Sequence, residues 1–180
     1  MALKDVSIQD DYISSGSAAN EIATAEDYSY CHQVMLDASN NYSFASNFLP
    51  QEKRAHVDAL YAFLRIGDDR VDVSHAGFSS PQNAIEAWEK AYWQAFETGD
   101  SPEPVIRAYL NTAIENGIPA NTMNAYFRAM KEDLFKTRFA TFDQLIHYME
   151  GSAIPVGRAM TYILGVKEPY TYSEAFERAD

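Results

Sequence analysis

The chain predicts an all-α fold, and three features of its 180 residues carry that prediction. Apolar residues recur three or four apart through almost every segment, which lines one face of a helix. Helix breakers fall between these stretches in the order helices prefer, with Pro at starts and Gly after ends. No segment alternates apolar and polar residues long enough to argue a strand.

Residues 1–24 read as a flexible N-terminal arm rich in Ser, Asp and Ala, and residues 25–180 as one helical domain. The first helix is expected over residues 25–48, ending at Leu49-Pro50, with a weak point at Asn40-Asn41. A second is expected over 51–73, its stripe formed by Val57, Leu60, Tyr61 and Leu64. Residues 75–80 read as a loop. Pro81 then opens a helix carrying Ile85, Trp88, Tyr92 and Phe96, which Gly99 closes. Pro102 and Pro104 open another, closed by Gly117. Pro119 opens the next, through Met123, Tyr126, Phe127 and Met130 to Phe135. Thr141 with Gln144 forms a capping box for a helix carrying Leu145 and Tyr148, in which Pro155 should place a kink. Thr171 with Glu174 forms a second box. The eight residues after it are fewer than the roughly 12 that an isolated helix needs, so the natural chain is expected to continue.

Composition narrows the function. A formal net charge of −12 with only 14 scattered Lys and Arg argues against nucleic acid as a partner. The same charge makes direct capture of an anionic phosphate unfavourable unless a cation intervenes. Cys31 is the single cysteine, which excludes an intrachain disulfide and fits a reducing compartment. The longest apolar run is about five residues around Leu60 to Leu64, far short of a membrane span. The N-terminus lacks the apolar core of a secretory signal, so a cytoplasmic location is expected.

The strongest chemical signal is Arg65-Ile-Gly-Asp68-Asp69-Arg70-Val-Asp72. Asp68 and Asp72 lie one helical turn apart on one face, with Arg65 and Tyr61 on the same stripe. Two carboxylates so placed suit a hard divalent cation such as Mg²⁺, and Arg65 offers a fork matched to phosphate. A solvated acidic face, with Arg65 and Arg70 pairing the aspartates, accounts for the same spacing. Gly67 leaves room for another backbone or a ligand to approach. His32, His56, His75 and His147 lack zinc-ligand spacing. No glycine-rich phosphate loop is present. The run from Gly151 to Gly157 reads as tight helix packing before ligand contact.

Several stretches, in order along the chain, resemble the squalene/phytoene synthase family. They are Tyr30-Cys31-His32, Asn41-Tyr42-Ser43-Phe44-Ala45, Leu49-Pro50 and Arg54, then Ala59 to Asp72 as a first aspartate-rich motif. Phe142 to Tyr148 and Ser152 to Gly157 are similar to the helix that lines the family's pocket. The resemblance covers roughly residues 27–180. It implies the α-helical isoprenoid (terpenoid) synthase fold and head-to-head joining of two prenyl diphosphates, farnesyl or geranylgeranyl, to a squalene-, dehydrosqualene- or phytoene-type polyene. It implies Mg²⁺, with Mn²⁺ as a substitute, held by Asp68 and Asp72, and NADPH only where squalene is the product. Arg65 and Tyr61 then belong to the catalytic set, and Ser39, Tyr42, Tyr148, Ser152 and Val156 to the substrate-binding set. Lipid substrates imply at most a weak peripheral association with membrane, which no basic amphipathic helix supports.

The sequence also departs from the family. Asn41-Tyr42 stands where Ser-Phe is usual, Met149-Glu150 where Cys-Tyr is common, and no second aspartate-rich motif occurs before Asp180. The chain is therefore read as the N-terminal part of such a synthase. A non-catalytic relative serving as a helical binding or assembly factor is the alternative. Product, prenyl length and oligomeric state are left open.

Overall fold

The structure, a computed structural model, describes residues 22–72, 77–135 and 138–179. Most of the expected arm and part of the 75–80 loop lie outside the described residues. Ile22 to Thr24 already belong to the body: Ala23 is buried, and the Ile22 N–H donates to Asn111 Oδ1 at 3.3 Å.

The described residues form helices α1 (Ala25–Ala38), α2 (Asn40–Ser46), α3 (Gln51–Asp72), α4 (Pro81–Thr98), α5 (Pro104–Asn116), α6 (Asn124–Asp133), α7 (Phe142–Ser152), α8 (Ile154–Leu164) and α9 (Tyr172–Ala179). A 3₁₀ turn, Ala120–Met123, leads into α6. No strand occurs among the described residues.

α3 is the axis of the domain, with α1, α4, α5, α6 and α8 packed around it. Phe63, fully buried at its middle, stacks on Tyr109 at 4.4 Å and on Trp88 at 5.5 Å. Tyr92 and Phe127 close the same aromatic cluster. Burial of such rings is the main force joining these helices, at about 25 cal/mol per Å² of apolar surface.

The helix ends follow local chemistry. Gly99 and Gly117 close α4 and α5 in the left-handed conformation that only Gly adopts without cost. Three expectations need correction. The helix expected over 25–48 is two, because Ser39 leaves the helical conformation (φ −155°, ψ 112°) and caps both. Its N–H donates to Met35 O, and its Oγ accepts the Tyr42 N–H at 3.3 Å. Ser and Asn side chains compete for backbone partners, which explains a break at Ser39-Asn40-Asn41.

Pro155 does not kink one helix. It sits in the first turn of α8, where its missing N–H costs nothing, and Ala153 separates α7 from α8. Thr141 accepts the Gln144 N–H, but Gln144 Oε1 takes the N–H of Ala140, so only half the expected box forms. The Thr171–Glu174 box is complete, and α9 docks on α8 through Tyr162, Tyr172 and Phe176. No helix among the described residues is long and apolar enough to cross a membrane.

Candidate functional site

Against the C-terminal half of α3 lies a cavity of about 690 Å³, walled by α1, α2, α6, α7 and α8. Its volume suits a small-molecule pocket, and such pockets pair mostly apolar walls with a few placed polar groups. Met35, Leu49, Val57, Leu60, Leu64, Met130 and Met160 supply the apolar wall. Arg65, Asp68, Asp72 and Asp133 supply the charge.

Helical spacing puts Tyr61, Arg65, Asp68 and Asp72 on the cavity side of α3, as the sequence predicts. Tyr42 from α2, Tyr148 and Ser152 from α7, and Val156 from α8 reach the same wall. Tyr42 and Tyr61 meet with ring centroids 5.4 Å apart. Ser39 does not line the cavity. Its hydroxyl oxygen accepts the Tyr42 N–H at the N-terminus of α2 and so helps to place Tyr42.

Asp68 is half-buried and Asp72 exposed at the end of α3. Burial, reinforced by the negative charge of Asp72, pushes the Asp68 carboxyl up to about 6, against the pull of Arg65. Burial and a neighbouring like charge each disfavour the ionised carboxylate. Arg65 pairs with Asp69 at 2.5 Å, leaving Asp68 and Asp72 to face the cavity. Arg70 turns away, its guanidinium over Trp88 at 4.7 Å and over Phe78 at 5.3 Å. The pairing that the solvated-face account expects is therefore met between Arg65 and Asp69, while Asp68 and Asp72 line the cavity.

The donor set fits Mg²⁺ in a limited way. Among the described residues no three His, Cys, Asp or Glu form a self-sufficient metal cage. Two carboxylates with open space beside them are what Mg²⁺ uses when water and substrate phosphate oxygens complete its octahedron.

Sequence reasoning missed Tyr126, Asp133 and the cavity's methionines as site residues. Tyr148 Oη donates to Asp133 Oδ2 at 2.8 Å, and burial together with that carboxylate pushes the phenol up to about 12. Tyr148 thus stays protonated through the neutral range. The spacing of Tyr126, Met130 and Asp133 along one face of α6 was the available signal. Gly151 allows this approach of helices: a Cβ there would stand 2.8 Å from Ala129 Cβ and 2.9 Å from Ala125 O.

The squalene/phytoene synthase family model matches residues 35–179. The chain belongs to the squalene/phytoene synthase family. It is 28% identical over 157 residues to a 4,4'-diapophytoene synthase of Staphylococcus haemolyticus, a match covering 86% of this chain and 55% of that protein. It is 27% identical to the chloroplastic phytoene synthase 2 of Zea mays, across 77% of this chain and 34% of that protein. Among solved structures, the squalene synthase HpnC of Alicyclobacillus acidocaldarius superposes with a TM-score of 0.72 at 28% identity, over 84% of this chain and 56% of that one. A dehydrosqualene synthase solved with a ligand superposes at 0.70 and 23% identity, which supports the fold alone. The fold is that of the terpenoid synthases. The chain spans about half the length of the bacterial relative and less of the plant one.

Proposed function

We propose that this chain is the diphosphate-anchoring part of a head-to-head prenyl transferase. The carrying observation is the amphipathic cavity, in which Asp68 and Asp72, with Arg65 and Asp133, supply the charge and Met, Leu, Val and Tyr supply most of the remaining wall. A prenyl diphosphate has the same division, a charged head on a hydrocarbon tail. Family membership supports the reading, with farnesyl or geranylgeranyl diphosphate as substrate and a squalene- or phytoene-type polyene as product.

Asp68 and Asp72 would hold Mg²⁺, or Mn²⁺ in its place, and the ion supplies neutralisation of the departing diphosphate. Arg65 adds a fork-shaped donor to that charge once substrate competes with Asp69. Tyr61 and Tyr42 line the cavity side by side, and an aromatic quadrupole there would favour developing positive charge on an allylic carbon. Tyr148, held by Asp133, keeps its phenol proton and lines the hydrocarbon space together with Ser152 and Val156. The apolar wall excludes water that would otherwise quench a carbocation. NADPH enters the scheme only for a squalene product.

Binding of a non-hydrolysable farnesyl diphosphate analogue, followed by calorimetry, tests the reading. Uptake should require Mg²⁺, and Asp68→Ala should weaken it about 30-fold or more, the range for removing one partner of a desolvated charge contact. Helix content should be unchanged by circular dichroism. Undiminished metal-dependent binding in Asp68→Ala sinks the anchor assignment.

A further inference from the structure

Tyr61, Arg65, Asp68 and Asp72 recur three or four residues apart on α3, and the same spacing carried one turn toward the helix start reaches Asp58. Asp58 is fully buried, and His32 of α1 meets its Oδ2 through Nδ1 at 2.7 Å. His32 lies one turn before Met35, the residue that α1 gives to the cavity wall. Val57, beside Asp58, is the wall residue nearest the start of α3. The stripe of α3 along the cavity therefore runs from the carboxylates of Asp68 and Asp72 down to a polar pair at its deep end.

The distance between those ends has a chemical meaning. Asp68 stands ten residues after Asp58, about 15 Å of helix axis at 1.5 Å per residue. With C–C bonds near 1.5 Å at tetrahedral angles, an extended isoprene unit of four chain carbons advances about 5 Å. Three units, a farnesyl tail, cover about 15 Å, and four, a geranylgeranyl tail, about 20 Å. A fourth unit would have to part Asp58 from His32 and surround a buried carboxylate with hydrocarbon, both of which are costly.

We propose that the His32–Asp58 pair is the floor of the cavity and sets the tail length, sized for the three-unit C15 chain. The proposal narrows the prenyl diphosphate reading to farnesyl and rests on that reading. His32 and Asp58 act on the hydrocarbon end of the substrate alone.

The test is calorimetric titration of farnesol and of geranylgeraniol into the full chain. Both alcohols are neutral, so uptake reports the hydrocarbon space without the metal. The wild type should take farnesol about tenfold or more tightly, the low end of what surplus hydrocarbon costs in a filled pocket. His32→Ala combined with Asp58→Ala removes both partners, so no buried charge is stranded. Geranylgeraniol should then come within about twofold of farnesol, because the space left behind admits the fourth unit. Val57→Phe should do the reverse, weakening farnesol about tenfold while the shorter geraniol keeps its affinity, because the ring fills the deep end.

Equal uptake of farnesol and geranylgeraniol by the wild type overturns the proposal and leaves the prenyl reading standing. A double variant that keeps its helix content by circular dichroism and also keeps the wild-type preference overturns it as well. Should the double variant fail to fold, Val57→Phe decides: loss of farnesol with geraniol kept supports the floor, and equal loss of both overturns it. If the wild type takes up neither farnesol nor geranylgeraniol, the prenyl reading falls and this proposal with it.

Discussion

Asp68 is the centre of the proposed anchor, and its proton sets a testable pH window. In the metal-free protein its carboxyl ionises near 6 instead of the ordinary 3.8, because burial and Asp72 disfavour the charge. A raised carboxyl costs the fold stability as pH climbs from about 4 to about 6, since the folded state holds its proton longer than the unfolded one. A cation reverses the sign, because it binds only the ionised form. Millimolar Mg²⁺ with pyrophosphate should therefore raise the thermal midpoint at pH 7.5 and barely move it at pH 5. Equal shifts at both would detach the site from Asp68. The Asp68–Asp72 pair was legible because residues four apart share a helix face. The seat of Tyr126 against Gly67 was not, since only tertiary packing brings α6 there.

At the level of elements, junctions decide whether the cavity walls stand where they do. Ser39 caps two helices at once, so Ser39→Ala should cost about 1 kcal/mol in urea unfolding and loosen Tyr42 at the wall. Gly151 lets α7 rest on α6 at backbone contact, and a methyl there meets Ala125 O, which cannot move aside cheaply. Gly151→Ala should cost about 1–3 kcal/mol and separate Tyr148 from Asp133. Unfolding curves that match the wild type would contradict that close approach. Tight packing around Gly151 was readable from a run of small residues. The split at Ser39 was misread by one residue, because a 3.6-residue apolar rhythm continues through both helices while a single side-chain oxygen ends the first. Pro155 was seen as a disturbance but not as a start, since its effect depends on which helix turn it occupies.

For the molecule as a whole, the fold class and the cavity's charged stripe were legible, and the ties between distant segments were not. Asp27 illustrates this. It completes a capping box with Thr24 and accepts a two-pronged contact from Arg107, through Nε at 3.0 Å and Nη2 at 2.5 Å, joining α1 to α5. Burial alone would raise its carboxyl, but the hydrogen bonds from Arg107 and Thr24 outweigh it and hold the group below its usual range. A depressed carboxyl contributes stability above about pH 4 that is lost as pH falls through the lowered value. Arg107→Met should cost about 2 kcal/mol at neutral pH, less than a fully buried pair because Arg107 is partly solvated. It should also flatten the acid limb of the stability curve, which urea titration between pH 2 and 5 would show.

The aromatic core holds one further consequence. Trp88 lies directly behind the aspartate stripe, its Nε1 within 3.4 Å of where a Gly67 side chain would begin, and its ring carries the guanidinium of Arg70. Trp93, the other indole, faces Tyr92 on the same helix. The protein thus contains its own optical gauge. Cation uptake at Asp68, as proposed, would alter the field across the Trp88 indole, so emission should shift on loading in the wild type and in Trp93→Phe, and that shift should vanish in Trp88→Phe, where only Trp93 emits.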